Sequence, residues 1–249
     1  MALLGAISTD AQLNMATDFT GVRAVANNGT GRAIAVPHGE FYRADNTGPS
    51  TISSADKQHA VRLTGMSSGN LSSWTQDQGT SSPIVGTSDN GGTLRLATSA
   101  HNFVTGDIVT VVGLATAAQN DVTAVTVVDG STLDCDDITF ASAAETGVVI
   151  QGSHLIAGSG AAGDYQVTFR LSSASASANR TFRFSLFVNK TEQTNLLNEN
   201  HFSATDIQSS TSTGVITVAE SDVVWLAAEN VGQSSNITIK HINCNLHLI

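Results

Sequence analysis

Charged residues, aromatic rings, proline and cysteine are all scarce in this sequence. Charged residues make up 13% and aromatics 5%, with 3 prolines and 2 cysteines. Cys135 and Cys244 are too few for a disulfide framework, and their strand-like contexts predict plain buried thiols in a chain made in a reducing cytoplasm. No stretch approaches the roughly 18 apolar residues that cross a bilayer as a helix. The opening MALLGAIST has no basic region and too short an apolar run for a signal peptide, so a soluble chain with no membrane partner is expected. Eleven Lys and Arg stand against 21 acids, a net charge of −10. No basic cluster is present to release counterions from a phosphate backbone, which argues against nucleic acid as a partner.

What fills the chain is Ser, Thr, Asn, Gly, Ala and Val, a composition that favours short strands and polar turns over helices. At 249 residues it is long enough to bury about 70% of its unfolded surface, so it needs no disulfide or metal to stay folded. The stretch GDYQVTFRLSSASASANRTFRFSLFVNK, residues 163–190, alternates apolar and polar side chains, breaks at SSASASAN and alternates again. Tyr165, Val167, Phe169 and Leu171 share one face of a strand with Gln166, Thr168, Arg170 and Ser172 opposite; Phe182, Phe184, Leu186 and Val188 repeat the pattern. Two antiparallel strands over one core, a long hairpin, are expected here. Phe187 falls on the outward face, and one exposed ring hints at contact with another chain.

Residues 1–40 have weak periodicity and loop signals such as ANNGTG, and read as an extended attachment arm. HAVRLTG is strand-like, and the polar run TQDQGTSSP predicts a loop. From 84 to 150, apolar runs set apart by NGG, TGD and DGS turns predict a compact module of five or six strands. The C-terminal NITIKHINCNLHLI alternates with Ile237, Ile239, Ile242, Cys244, Leu246 and Leu248 inward, and a phase change near Lys240 predicts a bulge. The strand count and turn spacing predict an all-β protein: an antiparallel jelly-roll sandwich (41–83 and 151–249), an inserted small β module (84–150) and the N-terminal arm (1–40).

Three stretches carry a family likeness: VRLTGMSSGNLSSWT, then AAGDYQVTFRLSSASASANRTFRFSLFVNK, then SDVVWLAAENVGQSSNITIKHINCNLHLI. Their order resembles the tumour-necrosis-factor/C1q-type jelly rolls of bacteriophage virion proteins, with a G-x-Y-x-V-x-F strand, a VNK hairpin tip, a D-x-V-W-L strand and a final N-I-T-I strand. SAHNFVTGDIVTVVGLATAAQNDVTAVTVVDGSTL is similar to a small β module inserted in such proteins. The resemblance implies a virion protein assembled in the bacterial host cytoplasm as a homotrimer, one sandwich face buried about the threefold axis. Phe187, His241 and His247 are the candidate interface residues.

Several motifs suggest chemistry that their context withholds. GSGAAG (Gly158, Gly160, Gly163) fits G-x-G-x-x-G, but a period-2 strand follows where a dinucleotide site needs a helix. GMSSG (Gly65, Ser67, Gly69) matches G-x-S-x-G without the strand-to-helix elbow that makes its serine a nucleophile. On a strand, His241 and His247 share one face and Cys244 the other, so one strand cannot chelate through all three, although a threefold axis could gather copies of either histidine. DCDD (Asp134, Asp136, Asp137) beside Asp129 lacks the glycine and distal Glu of a calcium loop and reads as a solvated hairpin end. Trp225 reads as core, leaving Trp74 as the ring to stack on sugar.

No nucleophile is paired with a base and no two carboxylates flank an evident cleft. No enzyme, cofactor or metal is expected. The expected role is a capsid decoration protein, of cement or head-fibre type, whose arm binds the major capsid protein or another virion protein. The alternative is a tail-fibre or spike module that binds host carbohydrate.

Overall fold

The computed structural model describes residues 36–48, 50, 52, 55–69 and 71–249. Within these the chain forms β1 (His38–Arg43), β2 (His59–Ala60), β3 (Ser67–Ser68), β4 (Trp74–Asp77), β5 (Ser81–Asn90) and β6 (Thr93–Thr98). There follow β7 (Ile108–Val112), β8 (Val122–Asp129), β9 (Thr132–Thr139), β10 (Gly147–Ile150), β11 (His154–Ala157) and β12 (Gly163–Ser175). The last are β13 (Arg180–Val188), β14 (Thr191–Glu192), β15 (Asn198–Phe202), β16 (Ile207–Val218), β17 (Val223–Val231) and β18 (Ile237–Leu248). Only two single-turn 3-10 helices interrupt them among the described residues.

The strands build an all-β, antiparallel sandwich of jelly-roll type with a closed barrel inserted. One sheet has the order β16-β12-β18-β1-β3; the facing sheet runs β14-β13-β17-β11-β4, with β15 beside β13 and β2 beside β17. The alternation read from the sequence places Tyr165, Val167, Phe169 and Leu171 from one sheet against Phe182, Phe184, Leu186 and Leu226 from the other in a single core. Ile237, Ile239, Ile242, Cys244 and Leu246 join it from β18. The bulge falls at Lys240: Ser172 pairs with His241 and the next residue, Ser173, with Ile239. Burial in this apolar setting pushes the Cys244 thiol, and that of Cys135 in the barrel, well above the usual value, as for inert core thiols.

Residues 163–190 are not a hairpin. β12 pairs with β16 and β18, whereas β13 pairs with β14, β15 and β17, so the chain crosses from one sheet to the other between them. Alternation reports which side chains face the core, and two strands on opposite sides of one core show the same alternation as two neighbours. TQDQGTSSP is likewise mostly strand, β4 pairing with β11 through its backbone and β5 starting at Ser81.

The arm expected over 1–40 lies outside the described residues up to residue 35. Its last three positions, His38, Gly39 and Glu40, belong to β1 and pair with β18. The barrel is closed in the order β10-β5-β6-β9-β8-β7, with β10 pairing β7 to complete it. Leu94, Leu96, Val109, Val111, Val125, Leu133, Cys135 and Val149 fill its interior. It begins at Ser81, three residues before the expected start, because β5 enters it directly from the sandwich.

Barrel and sandwich meet along a seam. Phe187, Trp225, Ala227 and Ala60 cluster there, with Ile108, Val122 and Ile150 packed against them. Thr110 accepts from Ala60 N at 3.1 Å, and Lys190 Nζ donates to Asp137 Oδ2 at 2.7 Å. β13 and β17 are therefore buried on both faces along much of their length, which is why VVWLAA reads as an unbroken apolar run and FSLFV is interrupted only by the small, buried Ser185.

Candidate functional site

The seam covers much of the outer face of the β13 and β17 sheet. Among the described residues nothing packs over the outer face of the five-stranded sheet, and its side chains stand in rows set by strand register. One row is His38, His247, Gln166 and Val215; the next is Glu40, Asn245, Thr168 and Thr213. Tyr42, Asn243, Arg170 and Thr211 form the third, and His241, Ser172 and Ser209 the fourth.

The middle rows are tied down. Asn245 Nδ2 donates to Asn243 Oδ1, Asn243 Nδ2 donates to Glu40 Oε1 at 2.9 Å, and the Thr168 and Thr213 hydroxyls lie 3.2 Å apart. At one end the rings of His38 and His247 stack, 6.1 Å between centroids, beside exposed Val215. At the other end the third and fourth rows enclose a groove of about 450 Å³, lined by Tyr42, Arg170, Ser172, Ser209, Asn243 and His241. His241 Nδ1 accepts from Asp45 N at 3.4 Å, and its Nε2 is 3.9 Å from Asp45 Oδ1.

Of the residues singled out from sequence, His241 and His247 share this face, as the alternation requires, six residues apart and so about 20 Å from one another along the strand. Phe187 is elsewhere and is not exposed. It is 4% accessible and stacks on Trp225 at 4.5 Å under the chain's own barrel, so a contact with another copy is closed to it. Its outward alternation was legible; that the barrel of the same chain covers it was not.

The motifs take structural roles. GSGAAG is the turn between β11 and β12, with Gly160 at φ 78° and its N–H donating to Glu220 Oε1 at 2.7 Å. Ser67 sits on the two-residue edge strand β3, with no helix behind it. Asp134 is clamped by Arg95 through bonds of 2.6 and 2.8 Å. Partial burial opposes ionisation of Asp137, but hydrogen bonds from Lys190 and Thr123 outweigh it and hold the carboxyl below its usual value. Asp129 caps its turn by accepting from Ser131 N at 2.8 Å. No group of three or more His, Cys, Asp or Glu among the described residues is placed to hold a metal. Trp74 is 4% exposed and donates from Nε1 to the Tyr165 hydroxyl at 3.3 Å, so it offers no sugar platform; Trp225 is buried, but in the seam and outside the sandwich core.

No protein-family model and no curated protein matches this chain. The open sheet face is thus read from its own geometry. Tyr42, Arg170 and Ser209, which the sequence did not mark as a site, converge there from three strands distant in the chain.

Proposed function

We propose that the chain is a non-enzymatic structural protein of a bacteriophage virion, a decoration protein of the head surface that works as a homotrimer. One observation carries this reading. The two outer faces of the sandwich are unequal: the barrel is packed on one, while no described residue packs over the other, which carries exposed His247 and Val215 at its end. Exposed Val215 and His247 on a register-locked sheet suit a contact close to a threefold axis, where the patch of each copy abuts a different part of the next and the rotation closes the ring. The likeness to virion jelly rolls supports the same role, as does a surface with net charge −10 that has little attraction for packaged nucleic acid. In this account the N-terminal residues attach the protein to the major capsid protein or another virion protein.

The groove favours a second reading, a tail-fibre or spike module that binds host carbohydrate. An aromatic ring, a guanidinium, an amide and hydroxyls around one concavity form a sugar-binding set. Deleting residues 1–35, which leaves β1 intact, separates the two. Decoration requires that the truncated protein no longer co-sediment with capsids; a fibre tip keeps its affinity for host cells without that segment.

A further inference from the structure

Six arginines lie among the described residues, and five are engaged. Arg95 and Arg183 bind carboxylates, and Arg43, Arg62 and Arg180 donate to backbone carbonyls. Arg170 alone of these six has neither hydrogen bond nor ion pair, and it stands in the groove beside Tyr42. On a chain with 21 acids and 11 bases, a guanidinium with no acceptor of any kind is a conspicuous omission. One further donor in the same wall is orphaned: Ser172 Oγ is buried and has no partner. Buried polar groups are normally satisfied, so such an orphan points to a missing acceptor.

We propose that this groove binds a carboxylate-bearing pyranose, an acidic sugar unit of a surface polysaccharide. The assignment rests on the carbohydrate-binding reading above and names its ligand class. The Arg170 fork matches a carboxylate in two parallel hydrogen bonds, a geometry that a hydroxymethyl group cannot answer. Tyr42, 41% exposed, offers a ring face to the apolar side of a pyranose. Ser209 and Thr211 present exposed hydroxyls to the sugar, and rotation of Ser172 about χ1 gives its hydroxyl an acceptor. Asn243 is held by Glu40 and Asn245 and keeps the floor fixed beneath Arg170. The groove is shallow and open to solvent, with room of about 450 Å³ for a single sugar ring. The groove lies at the far end of the sheet from His247, so a trimer contact there leaves it open.

The test is a titration of the full chain, followed by NMR, with methyl glucuronoside, methyl glucoside and inorganic phosphate. The two glycosides differ only in carboxylate against hydroxymethyl. The glucuronoside is expected to shift groove resonances and the glucoside to bind at least about tenfold more weakly; Arg170→Gln should weaken the glucuronoside by about tenfold or more, and Arg170→Lys by less. Both variants are at an exposed position, and an unchanged thermal midpoint confirms that they fold. Equal binding of the two glycosides, indifferent to Arg170→Gln, overturns the acidic assignment and leaves a glycan-binding module standing. Phosphate that shifts the same resonances as strongly as the glucuronoside also overturns it, reducing the groove to a generic anion patch. If neither glycoside binds, the assignment fails; adhesion of the full chain to host cells then decides whether the carbohydrate reading survives at another place.

Discussion

Phe187 and Trp225 lie face to face, 23° from parallel, and hold the barrel to the sandwich. Replacing Phe187 with Ala removes one ring of that stack from a buried seam. Urea unfolding should show a loss of about 3–5 kcal/mol, a core-sized penalty; a loss near zero would mean that the seam is loose. His59 sits close by, 2% exposed, with Nδ1 2.9 Å from Lys57 O. Burial lowers its pKa below the ordinary 6.5, so the unfolded chain takes a proton that the folded chain resists. Stability is therefore complete above pH 6.5 and falls as the pH drops through that value. His59→Gln should flatten the change in urea midpoint between pH 7.5 and about 5.5, leaving the carboxylate-driven loss at lower pH intact.

Strand by strand, the sequence disclosed orientation well and partnership poorly. The inward residues of β12, β13 and β18 and the bulge at Lys240 follow from local alternation, because the pleat fixes side-chain direction within one strand. That β12 and β13 lie in opposite sheets depends on pairings with β16, β17 and β18, which are remote in sequence. The groove was hidden for the same reason. Arg170 was legible as outward, but Tyr42, His241 and Ser209 meet it only through the register of four strands. β16 adds a feature of its own, since it borders the sheet and could pair with another chain. Asn195 and Asn198 donate to its carbonyls at Val215 and Thr211, at 2.8 and 3.0 Å, and so occupy that border. The double change Asn195→Ala, Asn198→Ala should promote concentration-dependent aggregation by light scattering with little change in the thermal midpoint; a variant that stays monodisperse would show that the two amides do not guard the edge.

On the scale of the whole molecule, the described residues leave the sandwich with one face occupied by the barrel and one face uncovered. A 25.7 kDa chain whose uncovered face carries Val215 at 47% exposure beside His247 leaves that apolar surface in water unless another copy covers it. His247 and Val215 belong to one row of that face, so a negative charge at either position on every copy would set like charges together around an axis. Equilibrium sedimentation of the full chain at micromolar concentration is the most direct measurement. Our account predicts a mass three times that of the chain, reduced to the single-chain mass by His247→Asp with Val215→Asp; a monomer for the unaltered protein would contradict it.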